Sequence, residues 1–189
     1  ARPSASKRSS TAHPRAPVVI HHRAIIANHA LLTGHHPISI SVGAVLHPYC
    51  KISSLHAPVA IEEGCIIGEK AQIGLGNGGT MKGLKLAKNV VVDSSAIVEA
   101  TQVGEGTHIG AGAKLGMGAV IGKYCTIAPQ TVVLPNEEVP DFTVLFGAGQ
   151  RRLNTTMQNR LKVTEQRNRG QKKQLDALAL LIPSDIAKW

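Results

Sequence analysis

The sequence predicts an all-β fold, a parallel β-helix of hexapeptide repeats in about seven coils, followed by a C-terminal α-helix. Three observations carry this. From Val103 to Leu145 an aliphatic residue recurs at every sixth position: Val103, Ile109, Leu115, Ile121, Ile127, Val133, Val139 and Leu145. A strand pattern has period two and a helix about 3.6, whereas period six marks coils whose hexads each form one flat side. The second observation is a small residue four places after the aliphatic one. The third is a glycine directly after it, at Gly68, Gly104, Gly110, Gly116 and Gly122.

The same phase runs upstream through Ile20, Ile26, Leu32, Ile40, Leu46, Ile52, Ile61, Ile67, Ile73, Leu86, Val92 and Val98, giving 20 aliphatic starts. Fifteen of the 19 steps are six residues long; the exceptions are 32 to 40, 52 to 61, 73 to 86 and 98 to 103. In 13 of the 15 regular hexads the small position is Ala, Cys or Thr. A tight corner leaves little volume there. Glycine suits the corners through its turn geometry and the close approach of neighbouring coils. Stacked aliphatic side chains then make one continuous core, and each coil buries its face only against its neighbours. Resemblance to hexapeptide-repeat proteins, not the periodicity, implies a left-handed β-helix. That handedness departs from the usual right-handed crossover.

The chain divides into a basic tail, residues 1–17, a β-helix, 18–147, and a linker with a helix, 148–189. The tail is rich in Ser, Arg and Pro and is expected to be disordered; its composition overlaps that of transit peptides, but three prolines argue against an amphipathic helix. The net charge of +9 is unevenly placed: the three segments carry +4, −1 and +6. A basic tail can bind acidic protein, RNA or membrane, or simply be solvated. The expectation is no nucleic-acid partner. No apolar run approaches the roughly 18 residues of a membrane span, so no transmembrane segment is expected. Aromatic residues make up 3%, which fits a narrow prism. Cys50, Cys65 and Cys125 all fall on the small corner position and are expected to be packing residues. Their spacing suggests no zinc.

Residues 74–85, GLGNGGTMKGLK, read as a loop off one corner with no phosphate-binding spacing. After Gly147 the period stops. Residues 172–182 read as a helix with Leu175, Leu178, Ala179 and Ile182 on one apolar face, ended by Pro183. The stretch 154–171 reads as a mobile linker.

Acyl transfer and carbon dioxide hydration are the two chemistries to weigh for such a fold, and both need histidine. His108, in EGTHIG, is the best-placed candidate for a general base. Its acidic partner is not evident from spacing, and a lone exposed histidine is commonly just exposed. His21, His22, His29, His35, His36, His47 and His56 lie on corners and excursions with no ligand spacing. The expectation from the residues alone is no catalytic, cofactor-binding or metal residue and no cofactor.

Several segments resemble a known family. SVGAVLHPYCKISSLHAPVAIEEGCIIGEKAQI, VPDFTVLFGAGQRRLN and KKQLDALALLIPSDIAKW are similar, in order and in irregular spacing, to the dynactin subunit 6 family of pointed-end hexapeptide-repeat subunits. The resemblance covers roughly residues 20–153 and 172–189. It implies a non-enzymatic scaffold of the dynactin pointed end, cytoplasmic and associated with microtubules through dynein and its cargo adaptors. It implies pairing with a dynactin subunit 5-like hexapeptide-repeat protein, beside a pointed-end actin-related protein and a large zinc-containing subunit. Arg151 and Arg152 are then candidates for rim contacts, and Leu175, Leu178 and Ile182 for a packing or partner face. The competing expectation is a homotrimeric hexapeptide-repeat acyltransferase or a gamma-type carbonic anhydrase-like homotrimer.

Overall fold

A computed structural model describes residues 16–75 and 83–189. Most of the expected tail, and residues 76–82 of the glycine-rich excursion, lie outside the described residues. The body is a left-handed parallel β-helix with three flat faces. The first face stacks Val18–Ile20, Ile38–Ile40, Val59–Ile61, Leu84–Leu86, Gln102–Val103, Val120–Ile121 and Glu138–Val139. The second stacks Ile25–Ile26, Val45–Leu46, Ile66–Ile67, Val91–Val92, His108–Ile109, Thr126–Ile127 and Thr143–Phe146. The third stacks Leu31–Gly34, Lys51–Ser54, Gln72–Ile73, Ile97–Val98, Lys114–Leu115 and Val132–Val133. These make six complete coils and two sides of a seventh.

The register follows the aliphatic series. On the second face Ile26, Leu46, Ile67, Val92, Ile109, Ile127 and Leu145 lie over one another. Nineteen of the 20 starts are buried, and Ile20, in the terminal coil, is half-buried against the core. Fourteen of the 15 small-position residues are buried; Glu137 is the exception.

The glycines at the following position serve close approach and not turn geometry. A Cβ on Gly104 would stand 2.4 Å from the Gly122 carbonyl carbon, and one on Gly110 would stand 2.6 Å from the Pro129 nitrogen. The left-handed backbone falls two residues later instead. There Gly43, Gly64, Gly106, Gly112 and Gly118 share positive φ with His29, Tyr49, Asn89, Tyr124, Gln130 and Phe142.

All four irregular steps fall between the third and first faces, so every excursion leaves from one edge. The excursion expected at 74–85 is shorter than it looked. Leu84 is buried and begins a strand paired with Val59–Ile61. At the other boundary, Ala16 is buried and the Pro17 carbonyl accepts from the Ile38 amide at 2.9 Å, so the coil begins inside the expected tail.

Three buried thiols occupy small corner positions. Burial pushes Cys50 and Cys65 up to about 12 and raises Cys125 as well. The thiolate is the reactive form. Native protein at pH 8 is therefore expected to leave a colorimetric disulfide reagent unreacted, and denatured protein to titrate all three thiols. Rapid labelling of the native chain would contradict this packing.

After the seventh coil the chain reverses. Gln150–Leu153 pairs antiparallel with Thr143–Phe146 and covers the lower edge of the second face. Two helices follow, α1 (Thr155–Asn159) and α2 (Leu161–Leu181). The Asn154 side chain caps α1 by accepting from the Met157 amide. The expected helix at 172–182 thus starts eleven residues earlier, and the expected mobile linker is mostly helical. The reason is a polar seat. The inward face of the N-terminal half carries Thr164, Arg167, Asn168 and Gln171, and Gln171 Nε2 donates to the Gly64 carbonyl at 3.1 Å. Leu175, Leu178 and Ile182 continue that face as half-buried residues, while Ala179 is exposed. The C-terminal segment then covers the upper edge of the second face. Ser184 Oγ accepts from the Ile26 amide, and the Asp185 amide donates to the Ile26 carbonyl. Ile186 and Trp189 pack on the core there.

Candidate active site

The repeat places one residue of each hexad outward, immediately before the buried aliphatic. On the second face this position holds Ile25, Val45, Ile66, Val91, His108, Thr126 and Val144. His108 is the one ionisable group in that column. Its Cα partners are Val91 one coil above and Thr126 one coil below.

Asp93 supplies what spacing did not reveal. It follows the strand Val91–Val92, at the corner leading to the third face, and its amide donates to the Ile109 carbonyl at 2.8 Å. That bond fixes Asp93 one coil above His108. Asp93 Oδ2 lies 3.1 Å from His108 Nε2. The two side chains are 36% and 39% exposed, so the pair faces solvent and is reachable by a ligand. A neutral imidazole that donates from Nε2 to the carboxylate carries its lone pair on Nδ1. The pair can therefore take a proton from a nucleophile, with the carboxylate fixing the tautomer and steadying the imidazolium that results.

Helix α2 packs against the corner that holds Gly64 and then against Val45–Leu46, over the upper coils of the same face, where the outward Val45 and Ile66 are buried. Leu175 lies over Gly64 there, close enough to meet a Cβ at 3.5 Å. Arg167 is partly buried, and burial pushes its guanidinium down while the neighbouring Tyr124 acts in the opposite direction. The Asn168 side-chain carbonyl is buried with no hydrogen-bond partner among the described residues. The second face thus carries an exposed histidine–carboxylate pair and, over its upper coils, a partly polar helix.

Among the described residues the remaining histidines do not converge. His21 and His22 stack on each other, and His29 stacks on Tyr49 with ring centroids 5.0 Å apart. The His35 and His36 amides donate to the Ser54 carbonyl. His47 is lowered by desolvation, opposed by Glu69. Among the described residues no group of three His, Cys, Asp or Glu side chains is arranged to hold a metal ion. No helix among them is long and apolar enough to cross a membrane.

Arg151 pairs with Glu137 and donates from Nη1 to the Glu138 carbonyl at 3.4 Å, tying the returning strand to the base of the prism. Arg152 is exposed opposite Val144.

The family model for the bacterial transferase hexapeptide (six repeats) matches residues 100–135, which include His108. No curated protein matches the chain. Among solved structures, AntD, an N-acyltransferase from Bacillus cereus in complex with dTDP and 3-hydroxybutyryl-CoA, superposes with a TM-score of 0.63 and 16% identity, over 83% of this chain and 90% of that one. A Bacillus cereus protein assigned as an acetyltransferase gives 0.61 and 17%, over 88% and 95%. The acetyltransferase domain of PglB from Neisseria gonorrhoeae gives 0.46 and 19%; the alignment covers 69% of this chain and 55% of that chain's length. At these identities the likeness is one of fold.

These findings correct the expected identity. The two Bacillus cereus structures that superpose above are described as an N-acyltransferase and an acetyltransferase, and neither is a dynactin subunit. The resemblance to dynactin subunit 6 is set aside. With it go the non-enzymatic scaffold, the subunit 5-like sibling, the actin-related and zinc-containing partners, and the dynein and cytoskeletal association. The expectation of no enzyme falls with them, because neighbours of this fold carry bound coenzyme A. The segments behind the resemblance include the irregular steps and the terminal helix. In the structure those steps all fall at a single edge and the helix is a strap held to the prism through Gln171.

Proposed function

We propose that the chain is an acyltransferase that moves an acyl group from a coenzyme A thioester to an amine, with His108 as general base and Asp93 as the residue that holds its imidazole. The observation that carries this reading is the His108–Asp93 pair, 3.1 Å apart and open to solvent on the second face. The acceptor amine attacks the thioester carbonyl as His108 Nδ1 takes its proton. The carbon–sulfur bond breaks, and the imidazolium returns the proton to the departing thiolate. The products are an amide and a free thiol. The likeness to AntD, crystallised as a point mutant with dTDP-4-amino-4,6-dideoxyglucose and coenzyme A, supports a nucleotide-linked amino sugar as the first acceptor class to assay.

The test follows thiol release from acetyl-CoA with such acceptors. Wild-type chain is expected to release thiol only when an acceptor amine is present. Asp93→Asn is expected to lower kcat by about 10–100-fold with KM little changed, because the carboxylate acts through the histidine and not on the substrate. An Asp93→Asn enzyme with wild-type kcat would remove the pair from the mechanism.

A further inference from the structure

Half of the +6 basic surplus of the C-terminal segment lies on helix α2. Between Arg160 and Leu181 there are six basic residues and two acids, Glu165 and Asp176. Arg167 faces the prism, and the others are exposed. A helix turns about 100° per residue. On that count Lys162, Arg169 and Lys173 fall within about 40° of one another, on the side opposite Gln171 and Leu178. Leu180 continues the same stripe and is 89% exposed.

We propose that this outer stripe of α2 docks an acidic helical segment of a partner protein, with carboxylates at Lys162, Arg169 and Lys173 and an apolar side chain over Leu180. The spacing favours a helix. The cations stand seven and four residues apart, about 10 Å and 6 Å along the axis. A second helix laid alongside presents its own side chains at those intervals. A membrane fits less well. Leu161 and Leu181 are exposed, but each lies about 100° around the helix from Leu180, on opposite flanks. They share no plane with the cations, as an inserting face requires. Single-stranded nucleic acid fits less well too, since no aromatic residue interleaves the cations to stack on bases. The inference stands on α2 alone and is independent of the chemistry at His108.

The experiment uses the full chain and a fluorescent helical peptide of about 20 residues. The peptide carries Glu at three positions spaced seven and four apart and Leu seven further on. Anisotropy is expected to show binding that weakens as salt rises from about 0.05 to 0.15 M. The variant with Lys162→Glu, Arg169→Glu and Lys173→Glu is expected to bind roughly tenfold or more weakly, at an unchanged melting temperature. Leu180→Asp is a second variant and is expected to weaken binding as well. Equal binding by the charge-reversed chain would overturn the proposal. So would failure of the peptide to bind, whether or not phosphatidylserine vesicles or duplex RNA bind in its place.

Discussion

Ile121→Ala is expected to cost about 2–5 kcal/mol of stability, read as a lowered denaturant midpoint. Ile121 is 1% exposed and lies between Val103 and Val139 in the inward column of the first face. Loss of its side chain removes buried apolar area and leaves a cavity. The cavity cannot collapse readily. Coils are locked to one another by backbone bonds such as the Gly122 amide to the Val139 carbonyl at 2.8 Å, and glycines at Gly104 and Gly122 already hold neighbouring coils at closest approach. Lys123→Ala, two residues on and exposed, is the control and is expected to change stability by no more than about 0.5 kcal/mol. A neutral Ile121→Ala would mean that the inward column is not the core.

Most of the prism was legible because a coil made of hexads repeats its inside–outside pattern with little noise. On each face the aliphatic starts form one stack, and at each corner the small residues form another. Handedness was not in the period and came from family likeness. The role of glycine was only half legible. Gly104, Gly110, Gly116 and Gly122 suggest turns as readily as close approach, and only the distances to the next coil decide. The segment after Gly147 was the least legible. The strand Gln150–Leu153 is short and exposed, so it has no alternation to read. The first half of α2 buries Gln171 through a hydrogen bond to Gly64, and a hydrophobic pattern does not register a seat made of polar side chains. Only the second half, with Leu175, Leu178 and Ile182, shows an apolar stripe.

The candidate site was half legible for a similar reason. His108 could be singled out by its outward position in the regular coils. Asp93 could not be found by distance along the chain, because 15 residues separate the two. The signal was present in the coil index: Val91 lies over His108, so a residue just past Val91 is one coil above and near the same margin. The single-residue deletion between Val98 and Val103 shifts this index and hides it.

The last prediction concerns the chemistry itself. His108→Ala removes the one ionisable group in the outward column of the second face, the base proposed to accept the proton of the acceptor. General-base catalysis contributes about 10²–10⁴-fold. The variant is expected to lose that much in kcat and in kcat/KM alike, since the interaction is made only as the amine loses its proton. The fold is expected to be untouched, because the side chain is 36% exposed and points away from the core. The decisive measurement is steady-state thiol release from acetyl-CoA, with the acylated amine quantified in parallel, for wild type and His108→Ala at matched melting temperatures. Acyl transfer through His108 predicts thiol and acylated product in equal amounts from the wild type and a loss of at least about 100-fold in the variant. A wild-type chain that makes no acylated product, or a variant that makes it at the wild-type rate, would contradict it.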